Sequence, residues 1–166
     1  MADLSETLKE VSRRAGKYLT FSLRGEEYGI GILTIKEIIG MMPITSVPRT
    51  PGFVKGVINL RGKVIPVVDL RLKFDMEPVD YTERTCIIVV EIECLKGILL
   101  IGIVVDSVSE VLNIGDEEIE APPAFGSRLD TDYILGMAKL EGGVKILLDI
   151  DRVLNAEEIA GLEQAS

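Results

Sequence analysis

The chain of 166 residues contains no histidine and no tryptophan, and aromatic residues make up only 5% of it. The lack of histidine removes the most common general base, a frequent transition-metal ligand and any phosphohistidine site. A membrane-spanning helix needs about 20 apolar residues, and the longest apolar stretch, Ile98–Val105, is far shorter and is interrupted by Gly102. We therefore expect no metal, no cofactor and no direct membrane insertion.

Basic residues are outnumbered by acidic ones, with 18 Lys and Arg against 27 Asp and Glu, and the formal net charge is −9. A negative charge of this size opposes non-specific binding to nucleic acid and to anionic membrane surfaces. Hydrophobic residues make up 47% of the chain, which is typical of a folded domain rather than of a disordered one. We expect a protein that does not bind nucleic acid.

The first residues and the cysteines bear on the compartment. Asp3, Glu6 and Glu10 stand where a signal peptide would have its apolar segment, so we expect a cytoplasmic protein. Cys86 and Cys94 are the two cysteines, and they could pair across a hairpin. In a cytoplasmic protein of this size, two buried free thiols are the favoured interpretation.

The sequence contains an internal repeat. Residues 29–39 align with residues 102–112, and residues 56–70 align with residues 136–150, in the same order. In the second alignment, four residues of the first half are matched by identical residues of the second half. The pairs are Gly56 with Gly136, Leu60 with Leu140, Gly62 with Gly142, and Asp69 with Asp149. Two ordered matches of this kind indicate two lobes of similar fold.

Each lobe is predicted to be a small β structure of about five short strands. Leu19, Phe21 and Leu23 alternate with polar residues, the period of a half-buried strand. We place the first lobe at about residues 17–80 and the second at about 81–154, with a C-terminal helix over 155–164. Lobes this small have thin cores, so we expect residues 1–166 to form one folding unit in which the lobes pack together.

The stretch Gly56–Gly62, running into Pro66–Arg71, closely resembles the signature of the CheW family, the bacterial chemotaxis coupling proteins. The similarity extends upstream through Glu27–Ile30 and Ile35–Ile38, and downstream through Gly102–Asp106. It covers roughly residues 17 to 162. The chain is identified as a member of that family by these motifs together with its length and repeat.

The resemblance implies a mainly β fold of two SH3-like, five-stranded barrels with short helices, and no catalytic activity. It implies two partners, the regulatory domain of a CheA-type chemotaxis histidine kinase and the cytoplasmic hairpin tip of chemoreceptors. The protein would then be associated with membrane receptor arrays through the receptors. The family's receptor-contact positions fall on Ile35, Glu37, Gly56, Arg61, Cys86, Gly102 and Val108.

The residues at equivalent positions in the two halves indicate whether Arg61 and Glu37 have a structural or a binding role. Arg61 corresponds to Glu141, so the fold does not require arginine in that turn, and an exposed guanidinium suits a helical receptor surface. Glu37 corresponds to another glutamate, Glu110, which leaves a structural role common to both halves and a binding role equally open.

The apolar and small candidates are more often structural. Ile35 corresponds to Val108, and apolar strand residues usually belong to a core, but the resemblance leads us to expect them as paired walls of a receptor groove. Gly56 and Gly62, each matched by glycine, are interpreted as positions of special backbone geometry. Asp69 and its counterpart Asp149 are expected to cap a following turn.

Two other classes of function fit the sequence less well, and a third stays open. A small enzyme lacks a histidine base, and the glycine-rich segments carry neither a phosphate loop nor a dinucleotide fingerprint. An RNA-binding SH3-like barrel conflicts with the net charge of −9 and the few aromatic residues. A CheW-like scaffold serving a non-chemotaxis receptor–kinase array is an alternative that the sequence leaves open.

Overall fold

The structure is a computed structural model that describes residues 15–94, 97–121 and 133–154, and these residues are mainly in β-strands. The first half of the chain contributes β1 (Gly16–Leu23), β2 (Glu26–Gly31), β3 (Ile35–Gly40), β4 (Val54–Leu60) and β5 (Lys63–Asp69). The second half contributes β6 (Cys86–Cys94), β7 (Gly97–Val105), β8 (Ser107–Ile114), β9 (Ile119–Glu120), β10 (Ile134–Leu140) and β11 (Gly143–Leu148). The predicted mainly β fold of two subdomains with short helices is confirmed, although one of the two sheets has six strands rather than the expected five.

The last strand of each half is followed by one single-turn α-helix. Helix α1 (Leu70–Lys73) follows β5, and helix α2 (Ile150–Val153) follows β11. The Asp69 carboxylate accepts a hydrogen bond from the Arg71 amide, and Asp149 does the same for α2, so the predicted caps are confirmed. The helix predicted over 155–164 lies outside the described residues, and no helix within the described part is long and apolar enough to cross a membrane.

The two sheets exchange strands between the halves. One sheet, which we call barrel 1, has the order β3-β6-β7-β5-β4, and the other, barrel 2, has the order β8-β1-β2-β11-β10-β9. The boundary expected near residue 80 therefore separates the two repeat units but not the two sheets. The physical reason is that a sequence repeat shows which segments are alike but not which of them pair. The first hairpin of each unit can therefore pair with the later strands of either unit, and here it pairs with those of the other.

The exchange follows an approximate two-fold relation. Parallel pairing joins Val67 to Gly102 in barrel 1, and the repeat-equivalent residues Leu147 and Gly29 are paired in barrel 2. The β4–β5 ladder shifts register between Val54 and Gly56, and the β10–β11 ladder shifts at the equivalent place. Equivalent residues thus occupy equivalent places in the two barrels.

The largest hydrophobic core lies between the barrels. This joint core takes buried side chains from both sheets, among them Phe21 and Ile30 of barrel 2 and Ile88 and Val90 of barrel 1. Barrel 1 and barrel 2 each enclose a smaller cluster of their own. Strand β6 is apolar on both faces because alternate side chains point into barrel 1 and into the joint core. Most of the burial that stabilises the protein is therefore shared by the two barrels.

Half of the few aromatic residues stack across this joint. The ring centroids of Phe21 and Tyr28 are 5.9 Å apart, those of Tyr28 and Phe74 are 6.2 Å apart, and those of Phe74 and Tyr133 are 5.3 Å apart. Phe74 follows α1 of barrel 1, and its two neighbours belong to barrel 2. The stack therefore fixes one barrel against the other through ring contacts.

Candidate functional site

Three candidate receptor contacts lie on one row of residues across barrel 1. Backbone pairing joins Glu37 of β3 to Val89, Val89 to Gly102 of β7, Gly102 to Val67, and Val67 to Gly56 of β4. Residues that are separated by up to 65 positions along the chain are thereby aligned across five strands. This alignment depends on the exchanged hairpin, since β6 and β7 come from the second half of the chain.

A β-bulge in β3 decides which way its side chains face. Ile35 pairs with Val90, whereas Glu37 pairs with Val89, so one residue of β3 between them is unpaired. A bulge of this kind changes the face on which the following residues lie. Ile35 therefore faces the joint core, against which it packs, while Glu37 faces the interior side of barrel 1.

Glu37 and Arg61 form a two-pronged ion pair at the mouth of barrel 1. The Arg61 Nη1 and Nη2 atoms donate to Glu37 Oε1 at 2.6 Å and Oε2 at 2.8 Å. The hydrogen bonds from Arg61 lower the pKa of the Glu37 carboxyl, and those to Glu37 raise the pKa of Arg61. The Arg61 side chain is 71% exposed and the Glu37 side chain 26%, so the pair lies at the surface.

The ion pair joins the two edges of the sheet. Glu37 is in β3 and Arg61 is in the turn after β4, and β3 and β4 are the outer strands of barrel 1. Arg61 adopts a φ of 50° in that turn, and the turn is completed by a hydrogen bond from the Gly62 amide to the Asn59 side chain. Glu37 was open to a structural or a binding role, and the geometry gives it a structural contact with a neighbour that remains largely exposed.

Gly56 and Gly102 are buried, and each is packed too closely for a side chain. A Cβ added to Gly56 would lie 2.0 Å from the Thr45 carbonyl oxygen, and Gly56 has a φ of +141°. A Cβ on Gly102 would lie 2.7 Å from Ile87 Cγ2. The expectation of special backbone geometry at Gly56 is thus met, and both glycines shape barrel 1 from within.

Ile35, Cys86 and Val108 lie outside the row across barrel 1, at separate places along the rim of the joint core. All three are partly buried and pack against that core. Ile35 and Cys86 belong to barrel 1, whereas Val108, on β8, pairs with Phe21 in barrel 2. The three side chains therefore lie where the barrels meet, and the role of Ile35 and Val108 as paired walls of a receptor groove stays a prediction.

Cys86 is a free thiol that is not fully buried. Its Sγ donates to the Arg84 carbonyl oxygen at 3.2 Å. Cys86 and Cys94 begin and end the same nine-residue strand β6, so a pair across a hairpin is excluded by their separation. The expectation of a buried thiol at Cys86 was wrong because β6 reaches the protein surface at its first residue.

Barrel 2 lacks the equivalent ion pair. The counterparts of Glu37 and Arg61 are Glu110 and Glu141, which carry like charges and are both exposed. The backbone of Glu110 is held instead by the buried Thr20 hydroxyl, which donates to its carbonyl oxygen at 2.9 Å and accepts from its amide at 3.1 Å. The two barrels share a fold but present different charges at their mouths.

An apolar hollow of about 470 Å³ opens elsewhere on the joint. Its walls come from the start of β1, the β2–β3 connection and α2, and include Tyr18, Ile32, Leu33 and Ile150. Leu33 is 95% exposed, the highest value among the large hydrophobic residues that are exposed. The sequence did not point to this surface, because Leu33 lies outside the motifs that carry the family resemblance.

A second polar contact that the sequence left unnoticed is the Arg71–Asp106 ion pair. Arg71 Nε and Nη2 donate to the two Asp106 carboxylate oxygens, each at 2.7 Å. Each residue is the last of a segment that carries the family resemblance, Pro66–Arg71 for Arg71 and Gly102–Asp106 for Asp106. Their presence in these segments is the sequence signal that could have drawn attention to them. In the described ranges, no group of three or more Cys, Asp or Glu side chains is arranged to hold a metal ion.

Comparison with known proteins shows the family to which this chain belongs. A family model described as a CheW-like domain matches residues 17–158. The chain is 42% identical to the chemotaxis protein CheW of Klebsiella aerogenes, covering 96% of this chain and 95% of the relative. It is 32% identical to the chemotaxis protein CheW of Thermotoga maritima, covering 96% of each. The chain belongs to the CheW family.

A solved structure supports the same assignment. The scaffolding protein TtCheW of Thermoanaerobacter tengcongensis superimposes with a TM-score of 0.75 at 35% identity, over 87% of this chain and 95% of that one. The two-subdomain β fold of this chain is therefore the CheW fold. Membership of the CheW family identifies the chain as a scaffold of chemotaxis signalling.

Proposed function

We propose that this protein is a non-catalytic coupling protein that links the cytoplasmic tip of chemoreceptors to the regulatory domain of a CheA-type histidine kinase. Membership of the CheW family supports the chemotaxis role. The observation that carries the finer proposal is the exposed Glu37–Arg61 ion pair on barrel 1, the barrel that also contributes Ile35 and Cys86 to the rim of the joint core. Receptor signals would reach the kinase through the relative placement of two partners on one scaffold.

The receptor hairpin would bind at the rim of the joint core and the mouth of barrel 1. Glu37 takes two N–H donors of Arg61, and a guanidinium has five in all. The remaining donors are held in a fixed direction by Glu37 and face solvent, where they can bond carboxylates or carbonyls on a helical hairpin. Ile35, Cys86 and Val108 would supply apolar contacts along the rim of the joint core. Gly56 and Gly102 contribute by shaping the barrel rather than by contact.

The kinase regulatory domain would bind at the apolar hollow. An apolar side chain that is 95% exposed, as Leu33 is, gains more from burial in an interface than most surface residues. The hollow and the Glu37–Arg61 pair share no lining residue. Since neither Glu37 nor Arg61 lines the hollow, both partners can bind at once, which an adapter requires; Ile35 directly follows Thr34 of the hollow and marks where the two surfaces approach each other.

The test is a pair of titrations by calorimetry, one with the kinase regulatory domain and one with a receptor cytoplasmic hairpin from the same source. We expect Arg61→Ala to weaken receptor binding roughly tenfold and to leave kinase binding unchanged, whereas Leu33→Asp should do the reverse. Glu141→Ala, which alters the equivalent turn of barrel 2, is the matched control for Arg61.

Three outcomes would count against the proposal. The adapter role fails if the folded protein binds neither partner. Equal loss of both affinities in Arg61→Ala, together with lower stability, would show that Arg61 acts through the fold. Turnover of a phosphoester, peptide or glycoside substrate by the purified chain would contradict the non-catalytic assignment.

A further inference from the structure

Asp106 is the single residue that connects the two barrels where the chain passes from β7 to β8. Its amide donates to the Ser22 carbonyl oxygen at 3.1 Å, and its carboxylate accepts from the Arg24 amide at 2.9 Å. Ser22 and Arg24 belong to the β1–β2 hairpin of barrel 2. The crossover is therefore attached to barrel 2 by both its backbone and its side chain.

Arg71 attaches the same carboxylate to barrel 1. Its guanidinium, carried by α1 after β5, makes the two bonds of 2.7 Å to Asp106 and a third bond of 3.1 Å to the Glu77 carbonyl oxygen. The Arg71 side chain is only 13% exposed and that of Asp106 26%. Partial burial limits screening by salt and fixes the direction of these bonds. One carboxylate is thus held by both barrels.

The two-fold relation shows that the fold does not require this pair. In the repeat alignment, Leu33 stands at the place of Asp106 and Asp151 at the place of Arg71. Both of these residues line the apolar hollow. One end of the joint is therefore closed by an ion pair, while the equivalent end is open and apolar.

We propose that the Arg71–Asp106 ion pair is a positioning element for receptor binding. It fixes the start of β8 against barrel 1, and so holds Val108 of barrel 2 in its place at the rim of the joint core, where Ile35 and Cys86 of barrel 1 also pack. Val108 follows Asp106 by two residues, and a displacement of Asp106 moves it directly. The inference rests on the proposed function, because it concerns the surface to which the receptor would bind.

Two variants of Arg71 test this positioning. Arg71→Met keeps much of the aliphatic volume but removes both bonds to Asp106, and Arg71→Lys keeps the charge without the two-pronged geometry. We expect receptor affinity to fall roughly tenfold in Arg71→Met and less in Arg71→Lys, with kinase affinity changed less than twofold. In the free protein, the backbone amide NMR signals of Ser107 and Val108 should shift.

Two controls separate positioning from general destabilisation. Lys139→Met removes an exposed ion pair with Glu120 in barrel 2 and should change neither affinity. Ile65→Val weakens the interior cluster of barrel 1 and should leave the ratio of the two affinities unchanged. If Arg71→Met does not fold, Arg71→Lys carries the comparison.

The inference is overturned if the Arg71 variants leave the β8 amide signals in place, or if they lower both affinities in the proportion seen for Ile65→Val. Failure of the wild-type chain to bind the receptor hairpin would be a failure of the proposed function instead. In that case the amide signals of the free protein decide whether Arg71 positions β8, because they require no partner.

Discussion

Replacing Gly56 by alanine should destabilise the protein strongly, because the glycine lies against a neighbouring backbone rather than against side chains. The new methyl group would lie 2.0 Å from the Thr45 carbonyl oxygen, whereas ordinary contact begins at 3.4 Å. The Thr45 backbone would have to move by more than an ångström. It is held by two hydrogen bonds to Val57, each of 2.8 Å.

The cost follows from two terms. Losing two backbone hydrogen bonds costs about 2 kcal/mol, and placing alanine at a φ that favours glycine costs about 1–3 kcal/mol, so the free energy of unfolding should fall by about 3–5 kcal/mol. For a chain of this length that corresponds to a melting temperature lower by about 10 °C. Urea unfolding followed by circular dichroism measures the difference.

Gly40→Ala is the matched control in the same barrel. Gly40 has no heavy atom within 4 Å of an added Cβ and no positive φ, so alanine there should change the free energy of unfolding by less than about 1 kcal/mol. The steric argument is refuted if Gly56→Ala is as stable as Gly40→Ala. A stable Gly56→Ala protein that nevertheless lost receptor binding would make Gly56 a direct contact.

Two further substitutions probe the joint between the barrels. Phe74→Ala removes the ring between Tyr28 and Tyr133, and it should lower the free energy of unfolding by about 2–3 kcal/mol and weaken the near-ultraviolet circular dichroism of the tyrosines; an unchanged spectrum would contradict the stack. Burial raises the pKa of the Asp106 carboxyl, but the hydrogen bonds from Arg71 and from the Arg24 amide, with the Arg71 charge, bring it below its ordinary value. The stabilisation from Asp106 is therefore complete above the unfolded pKa of about 3.9 and is lost as the pH falls through the lower folded pKa. Asp106→Asn should accordingly lose less stability than the wild type between pH 5 and pH 3, and parallel acid profiles would refute this linkage.

The local structure was largely readable from the sequence. Alternation at Leu19, Phe21 and Leu23 predicted β1, and the capping roles of Asp69 and Asp149 were predicted from their match in the repeat. These features depend on neighbouring residues and on backbone preferences, which a sequence displays directly. The repeat likewise predicted that equivalent strands would have equivalent surroundings.

The candidate site was only partly readable. The family motifs drew attention to Glu37 and Arg61 separately, but nothing in their spacing indicates that the two side chains bond each other. Leu33 lies outside the family motifs and is almost fully exposed. Both facts depend on how the edges of barrel 1 approach and on which part of the joint stays uncovered.

The sequence by itself determined that this protein is built from two similar β units, because apolar periodicity, turn residues and the repeat are local properties of the chain. Only the tertiary structure decided that the first hairpin of each unit pairs with the later strands of the other unit. Equivalent strands of the two units offer the same backbone hydrogen bonds, so the sequence favours neither pairing. That choice lines up Glu37, Gly102 and Gly56 across barrel 1. It also brings Arg71 to Asp106 at one end of the joint and leaves the other end open. Contacts between residues distant in sequence arise from packing the whole chain, and no local pattern records them.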